Sequence, residues 1–276
     1  MVAMSPELSW LRTQLGPEAR LGSQLTGGAT SRVYSVEIGK RRAVLKQVTN
    51  RQWLQERPDV VAYEGRVLGF LSSTSIPVPQ VLAVDADGAE AGFPSLLLSW
   101  IDGTPAGETA RPAEWLDRLA RVSAEIAAVE PPSWIRPFAR YVEARDAVSP
   151  GWASDAGLWQ AAIDAVGQPP PAAPARFIHR DYHPWNVLWN NEIVGVVDWS
   201  QASIGPIPMD AAHCRANLAI GFDVEVADQF TSRWEAATGV PHHPYWDLVT
   251  CGDFLPDWRP SDRGNERLEA WLRHLV

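Results

Sequence analysis

The sequence predicts an α+β fold in which a small antiparallel sheet with one helix precedes a mostly helical part. Short β-prone runs separated by turn residues fill the segment 20–100, whereas apolar residues recur at helical spacing after residue 112. The turn-forming residues 102–105 (Asp-Gly-Thr-Pro) separate the two patterns. We therefore expect an N-terminal lobe over about residues 1–100 and a C-terminal lobe over residues 101–276.

The strands of the N-terminal lobe are predicted as a meander followed by a hairpin. Gly39-Lys40 gives a turn signal between two β-prone runs of the meander. The predicted strands cover residues 21–25, 33–36, 42–48, 81–84 and 95–100. A helix is predicted over 58–71, because Pro58 suits a first helical turn and apolar residues follow it at helical spacing.

The most regular helical pattern of the C-terminal lobe lies in residues 113–129. Its apolar residues step by four, three, four and three positions, which places them on one face of a helix. These residues are Trp115, Leu119, Val122, Ile126 and Val129. Further helices are predicted over residues 155–166, 209–220, 223–238 and 262–275. A short strand is predicted over 193–197.

The composition argues against several classes of protein. Of the 276 residues, 24 are Lys or Arg and 33 are Asp or Glu, which gives a net charge of −9. Non-specific nucleic-acid binding needs a basic surplus, so we expect no nucleic-acid partner. Two cysteines form no disulfide framework, and no apolar run approaches the ~20 residues of a membrane span. No signal peptide is recognisable, and we expect a cytoplasmic protein that does not contact a membrane.

Three polar side chains of the C-terminal lobe stand at a spacing that indicates phosphoryl transfer. The segment His179–Trp189 contains Asp181 and Asn186, and Asp198 follows a short apolar strand. Phosphoryl transfer from ATP needs a carboxylate that orients the attacking hydroxyl and accepts its proton, which Asp181 can supply. It also needs hard oxygen ligands for Mg²⁺, which suits Asn186 and Asp198. These three are the predicted catalytic residues, and the last two are the predicted metal ligands.

The N-terminal lobe supplies candidates for phosphate binding. Gly27 and Gly28 lie between two predicted strands, where a backbone loop can cover phosphates. Lys46 on a following strand can bring its ammonium to the phosphates, and Glu64 on the predicted helix can hold it there. Glu56 is an alternative partner for the lysine. Taken singly, each residue is also compatible with an ordinary turn or a solvated surface.

In this order, the segments resemble the aminoglycoside phosphotransferase family, whose fold is protein-kinase-like, from about Leu21 to Leu218. The segments that carry the resemblance are Thr26-Gly27-Gly28, Val44-Leu45-Lys46, Glu64, Pro77-Val78-Pro79, 97–103, 179–186, 197–199, Gly205-Pro206 and Asp210. The resemblance implies a bilobal protein-kinase-like fold. It also implies an enzyme that transfers the γ-phosphoryl group of ATP to a hydroxyl of a small molecule, often an aminoglycoside or another antibiotic. Choline, sugars and amino alcohols stay open as substrates.

The resemblance also implies roles for individual residues. Asp181 is then the catalytic base, Asn186 and Asp198 hold Mg²⁺, and Asp210 is the structural carboxylate behind the catalytic loop. The residues implied to bind ATP are Gly27, Gly28, Lys46, Glu64, Ser99 and Ile101. Within this set Lys46 pairs with Glu64 at the phosphates, and the backbone around the last two residues binds adenine.

Two other interpretations use the same loop. His179, Asp181 and His183 alternate, so on a strand they would share one face and could bind zinc in a metal-dependent hydrolase. A catalytically inactive nucleotide-binding module would keep the fold and lose the chemistry. The chain also departs from the family, because Arg180 and Trp185 replace residues that are commonly glycine. Three further histidines are expected to be surface or core residues: His213, His242 and His243.

Overall fold

The computed structural model describes residues 4–25, 30–109, 112–258 and 261–276. The chain divides into two compact units. The first comprises Met1–Gly103 and Val194–Ser200, and the second comprises Thr104–Ile193 and Gln201–Val276. The short segment 194–200 therefore belongs to the first unit, although it follows the turn-forming residues 102–105 in the sequence.

The first unit is built on a five-stranded antiparallel sheet with the strand order β1-β2-β3-β5-β4. Its elements in chain order are α1 (Pro6–Leu15), β1 (Arg20–Gln24), β2 (Ser31–Ile38), β3 (Arg41–Val48), α2 (Arg51–Glu56), α3 (Val60–Leu71), β4 (Val81–Asp85) and β5 (Ser95–Ser99). The hairpin between β2 and β3 turns at Gly39, whose positive φ of 60° costs a glycine little.

The two faces of this sheet differ in what covers them. One face carries a buried apolar cluster, to which α1 contributes Trp10 and Leu11. The other members of the cluster are Ala19, Val36, Ala43, Leu45, Ala91 and Leu97. Successive strand residues point to opposite faces, so Lys46 and its register partner Leu96 point away from this cluster. Gly65 of α3 lies beside Leu96, which places α3 on the face that carries the lysine.

The second unit consists mainly of helices. Its elements in chain order are β6 (Thr104–Pro105), α4 (Pro112–Ala128), α5 (Ala156–Val166), β7 (Ala175–Ile178), β8 (Val187–Trp189), β10 (Ser203–Pro206), α6 (Pro208–Gly221), α7 (Val224–Thr238), α8 (Pro244–Phe254) and α9 (Asp262–Leu275). Strand β9 (Ile193–Val196) begins with the last residue before the border, and its residues from Val194 onward belong to the first unit. Antiparallel pairs form between β7 and β10 and between β6 and β8. α6 is buried over most of its length, and α7, α8 and α9 pack against it.

The predicted α+β class is confirmed, because an antiparallel-sheet unit is followed by a mainly helical one. The helices expected from periodicity in the second unit correspond to α4, α5, α6, α7 and α9. The helix expected over 58–71 begins later, at Val60, and the separate helix α2 precedes it. α1, α2 and α8 were not expected from the sequence.

Among the described helices, none is both long enough and apolar enough to cross a membrane.

Candidate active site

The first unit contains a buried lysine that is bound by two carboxylates. Lys46 on β3 is 6% exposed, and its Nζ lies 2.8 and 2.7 Å from the two carboxylate oxygens of Glu64. The same Nζ lies 2.8 Å from Oδ1 of Asp198. One ammonium and two carboxylates therefore form a single cluster with one excess negative charge.

Glu64 reaches this lysine because α3 lies close against the sheet. A Cβ atom on Gly65 would lie 3.3 Å from the side chain of Leu96, so the glycine permits the close approach of helix and strand. Leu96 is the register partner of Lys46, and α3 therefore meets the sheet where the lysine is. The alternative partner, Glu56, accepts a hydrogen bond at 3.0 Å from a glutamine of α2 instead.

Asp198 follows β9 in a backbone conformation that non-glycine residues rarely adopt. Its φ is 65°, and its Oδ1 accepts hydrogen bonds from Lys46 and, at 2.9 Å, from Ser200 Oγ. The next residue, Trp199, donates its backbone N–H to Glu64 at 3.2 Å. These bonds offset a backbone cost of about 1–2 kcal/mol and hold the carboxylate beside the lysine.

The electrostatics of this cluster favour cations. Burial lowers the pKa of Lys46, but the carboxylates of Asp198 and Glu64 outweigh burial and raise the pKa above its usual value. The lysine is therefore charged at neutral pH. The excess carboxylate can attract a further cation, and the side chain of Asp198 is 32% exposed and so can be reached by one.

The second unit holds Asp181 in a loop with donors on both carboxylate oxygens. Nδ2 of Asn186 lies 3.0 Å from Oδ2 and 3.0 Å from the backbone carbonyl of Asp181. Oδ1 lies 2.8 Å from Nε2 of His213 and 3.4 Å from Nε2 of His183. Burial raises the pKa of Asp181, but the two histidines outweigh burial and hold the pKa well below its usual range. The carboxylate is therefore ionised at neutral pH, and its 32% exposure leaves it accessible to a ligand.

The start of this loop is anchored by Asp210 in the first turn of α6. Its Oδ2 accepts the backbone N–H of His179 at 2.8 Å, and its Oδ1 accepts that of Arg180 at 2.7 Å. Burial raises the pKa of Asp210 to about 7, although both hydrogen bonds oppose the shift. The carboxylate therefore lies behind the loop and ties two successive N–H groups to α6.

Arg180 keeps the backbone conformation of a glycine and is held by its side chain. Its φ is 74°, which a glycine adopts without strain. The guanidinium is buried, donates to Asp253 at 2.7 Å and lies 4.2 Å from the ring centre of Tyr141 and 4.7 Å from that of Phe138. Arg180 therefore takes a backbone conformation that glycine adopts without strain, and buried partners hold its side chain.

Trp185 places a large side chain where the family commonly has glycine, and two glycines outside the loop leave space for it. A Cβ atom on Gly107 would lie 2.4 Å from the indole of Trp185, and a Cβ on Gly221 would lie 2.3 Å from it. The indole also stacks on Phe222, with ring centres 6.1 Å apart. The next residue, Asn186, keeps its bonds to Asp181, so the large side chain does not disrupt the loop.

The remaining predicted residues concern nucleotide binding. Ser99 ends β5, and its backbone N–H and its Oγ both bond to the backbone of Gln80, each at 2.8 Å. Ile101 follows two residues later and is half-buried. Gly27 and Gly28 lie outside the described residues. The roles of these four residues stay predictions.

Three possible metal ligands meet in the second unit, and they differ from the three predicted for a hydrolase. Ligand atoms of Asp181, His183 and His213 lie within 4.8 Å of one another. His179 is buried instead and accepts the backbone N–H of Asp181 on Nδ1 at 3.3 Å. His183 accepts the backbone N–H of Trp185 on Nδ1 at 3.2 Å, so in its neutral form Nε2 carries the hydrogen. That nitrogen then has no lone pair for a metal.

His213 is a site residue that sequence reasoning missed, since it was expected to be a surface or core histidine. It lies three residues after Asp210 on α6, and side chains at this spacing share a helix face. Because Asp210 was already expected behind the catalytic loop, this spacing could have identified it. Composition also draws attention to Lys46, because the chain has 24 basic residues and only Lys40 and Lys46 are lysines.

The parts described above are those of a kinase-like phosphotransferase: a buried lysine held by carboxylates on an antiparallel sheet, and an ionised aspartate beside an asparagine in a helical unit. The model of the phosphotransferase enzyme family matches residues 22–249, and the chain belongs to this family. This membership confirms the expected resemblance and the expected enzyme class, a phosphotransferase (kinase) that acts on a hydroxyl group. No curated protein matches the chain.

Solved structures share the fold at low sequence identity. A thermostable mutant of aminoglycoside phosphotransferase APH(4)-Ia, in a ternary complex with AMP-PNP and hygromycin B, is 20% identical, with a TM-score of 0.70 and 98% of each chain covered. The aminoglycoside-3'-phosphotransferase of type VIII is 16% identical, with a TM-score of 0.62 and 94% of each chain covered. The microcompartment-associated aminopropanol kinase is 14% identical, with a TM-score of 0.66; the match covers 93% of this chain and 90% of that one. The expected protein-kinase-like fold is thereby confirmed.

Proposed function

We propose that this protein is an ATP- and magnesium-dependent kinase that transfers the γ-phosphoryl group to a hydroxyl of a small molecule. The carboxylate of Asp181 carries the proposal, because it is ionised and partly exposed, as a group that orients an alcohol for phosphoryl transfer must be. A hydrogen bond from Asn186 holds it in place. In this proposal residues 1–100 form the nucleotide-binding lobe, and residues 101–276 form the catalytic and substrate-binding lobe.

The residues around Lys46 fit phosphates and Mg²⁺. Its ammonium can bind phosphate oxygens while Glu64 holds it in place. Asp198 and Asn186 offer the hard oxygen ligands that Mg²⁺ prefers, and the amide nitrogen of Asn186 faces Asp181, which turns its carbonyl oxygen the other way. When bound, the metal neutralises charge on the phosphates.

The adenine and the phosphate loop are assigned by resemblance. Ser99 and Ile101 are two residues apart, so in extended backbone their polar groups point to the same side, as recognition of the edge of a flat base requires. Gly27 and Gly28 would form the loop over the phosphates. We include these four residues in the proposed ATP site.

Asp181 orients the acceptor and takes its proton. The acceptor hydroxyl donates a hydrogen bond to the carboxylate, and its proton passes there as the hydroxyl oxygen bonds to the γ-phosphorus. The bond from the γ-phosphorus to its bridging oxygen breaks, and its electron pair leaves with ADP. The transition-state charge stays on oxygens, so positioning and cations supply most of the rate gain.

The acceptor is a small hydroxylated molecule in this proposal. The structural relatives support this class, because one is a complex with hygromycin B and another is named an aminopropanol kinase. We therefore propose an aminoglycoside or other antibiotic, or an amino alcohol, as the substrate. A panel of both classes, with magnesium-dependent ADP release as the readout, distinguishes them.

The decisive test of the catalytic role is Asp181→Asn. The variant keeps the size of the side chain and the bonding capacity of one oxygen, so we expect AMP-PNP binding to persist and turnover to fall by about a hundredfold or more. Near-normal phosphorylation by this variant would remove Asp181 from the mechanism.

Asp198→Ala tests the metal role separately. We expect it to abolish the magnesium-dependent part of the thermal stabilisation by AMP-PNP, because a hard oxygen ligand is lost. An unchanged magnesium-dependent shift in melting temperature would contradict the assignment.

In the part of the chain that the structure describes, the group of Asp181, His183 and His213 is the observation that favours a metal-dependent hydrolase. The bond from the backbone N–H of Trp185 to His183 opposes it, since this bond leaves Nε2 protonated. Zinc analysis of the purified protein separates the two functions, because stoichiometric zinc would support the hydrolase and its absence from active kinase would exclude it. An inactive module would bind AMP-PNP without turning over any acceptor.

A further inference from the structure

The surroundings of His213 fix its ring from both sides. The imidazole stacks on that of His183, with ring centres 5.7 Å apart and planes inclined by 22°. Phe254 of α8 meets it edge-on from another direction, with ring centres 5.1 Å apart. His213 itself is 6% exposed and lies on α6, whose first turn is tied to the catalytic loop through Asp210. Its Nε2 therefore has little freedom to leave Oδ1 of Asp181.

The hydrogen bonds decide which nitrogen of each ring carries a hydrogen. Nε2 of His213 lies 2.8 Å from a carboxylate oxygen and can donate to it when it carries a hydrogen, while Nδ1 is buried without a hydrogen-bond partner among the described residues. A hydrogen on that Nδ1 would be a buried unpaired donor, so the neutral form with the hydrogen on Nε2 is favoured. Burial also lowers the pKa of His213, against the opposing effect of Asp181. His183 has the same tautomer, because its Nδ1 accepts the backbone N–H of Trp185.

The two oxygens of Asp181 are consequently not equivalent. A carboxylate has about four lone-pair positions, two on each oxygen. Among the described residues, Oδ1 lies 2.8 and 3.4 Å from Nε2 of the two histidines, whereas Oδ2 accepts one hydrogen bond, from Asn186. Within this part of the chain, Oδ2 is therefore the oxygen that keeps an open position for a further donor.

We propose that His213 is a positioning residue for the proposed phosphotransferase reaction: its neutral Nε2–H fixes Oδ1 of Asp181 and leaves Oδ2 to receive the acceptor hydroxyl. This inference rests on the proposed function. His213 keeps its hydrogen throughout, and the proton of the hydroxyl passes to Oδ2 while the phosphoryl group transfers. A neutral donor orients the carboxylate and suppresses its basicity less than a cation at the same place would.

The test compares two substitutions of nearly equal length. His213→Gln places an amide nitrogen near the position of the imidazole Nε2 and keeps a donor, whereas His213→Met fills similar space without one. We expect His213→Met to lower kcat about ten- to a hundredfold, with KM values for ATP and acceptor within about twofold. His213→Gln should recover kcat to within about threefold of wild type. Equal losses in both variants would overturn the proposal, since a loss of packing alone would not distinguish them.

A second readout does not need an acceptor. Long-range ¹H–¹⁵N correlation spectra of protein labelled at histidine report the tautomer directly, and we expect a neutral ring with hydrogen on Nε2 for His213 at neutral pH. His213→Gln identifies the signal. His243 is the internal reference, because it is the N-cap of α8 and its Nδ1 accepts the backbone N–H of Tyr245 at 3.1 Å. His243→Gln is the control variant. We expect this control to keep the wild-type kcat.

The two readouts separate the inference from the function on which it rests. A protonated ring, or a hydrogen on Nδ1, would overturn the positioning role even in an active kinase. The expected tautomer in a protein that phosphorylates no member of the acceptor panel would support the contact with Asp181 and count against the proposed function instead.

Discussion

Replacing Lys46 by methionine is expected to lower the free energy of unfolding by about 3–5 kcal/mol. The substitution removes the ammonium between Glu64 and Asp198 and leaves two carboxylates without a cation. Glu64 is 1% exposed, so it cannot regain solvation by moving into water, and removing one partner of a buried pair costs this much. Asp198 is about a third exposed and contributes less, because water screens it.

Glu64→Gln should cost less than Lys46→Met, although it breaks the same pair. The lysine keeps Asp198 as a compensating charge, so the expected cost is that of a charged hydrogen bond, about 1.5–3 kcal/mol. The double variant should be no less stable than Lys46→Met alone, because the buried carboxylate is gone. A coupling energy of about 1.5–3 kcal/mol between the two substitutions follows.

Denaturation by guanidinium chloride, followed by circular dichroism, measures these free energies. Lys40→Met is the matched control, because it removes the other lysine from an exposed turn and changes the net charge equally. Burial also raises the pKa of Glu64, and the loss of Lys46 raises it further. The folded state then binds a proton that the unfolded state does not, so the deficit of Lys46→Met should shrink as the pH falls from about 8 to about 5. A deficit that neither Glu64→Gln nor lower pH relieves would show that packing, and not charge, accounts for the loss.

Three further predictions concern the second unit. Arg180→Ala should cost about 3–5 kcal/mol in denaturation experiments, since a buried carboxylate loses its partner, and Arg180→Gly about 1 kcal/mol less, since glycine adopts a φ of 74° without strain. Gly221→Ala should lower the free energy of unfolding by about 1–3 kcal/mol, because it forces a methyl group into the indole of Trp185. Gly252→Ala is the control: it also lies in a helix but has open space around it, and it should raise the free energy of unfolding by up to about 1 kcal/mol. Equal effects of the two variants would contradict the contact with Trp185. Burial lowers the pKa of His213 below 6.5, so the unfolded chain binds more protons than the folded chain just below that pH. The melting temperature of the wild type should therefore fall as the pH falls from about 7.5 to about 5.5. His213→Gln should lose less over the same range, and parallel curves would refute the shift.

Most helices that have one buried face and one solvent-exposed face could be predicted, because their apolar residues recur at helical spacing. α4 is the clearest case, because its buried residues recur every three or four positions and its other residues are mostly exposed. α8 could not be predicted from periodicity, because it has no solvent-exposed face over most of its length. Every residue from Tyr245 to Cys251 is buried, so burial imposes no helical period on this part of the sequence.

The site could be predicted where its residues are close together in the sequence or belong to a known order. The spacing of Asp181 and Asn186 is set within one loop, and the contact seen between them needs no distant element. The choice of Glu64 over Glu56 required tertiary structure, because it depends on the close approach of α3 to β5. His213 could not be assigned from its residue type, since a histidine within a buried helix is usually a core residue.

The two departures from the family in the catalytic loop are met by different physical means. At Arg180 the requirement is conformational: the backbone keeps its positive φ, and the buried guanidinium is held by Asp253. At Trp185 the requirement is spatial, and Gly107 and Gly221 meet it from outside the loop, since a Cβ on either would overlap the indole. The two residues that lack side-chain atoms next to the indole therefore lie outside the loop. The loop therefore brings Asn186 to Asp181 with an arginine at position 180 and a tryptophan at position 185, because its shape depends on the path of the backbone and the space around it.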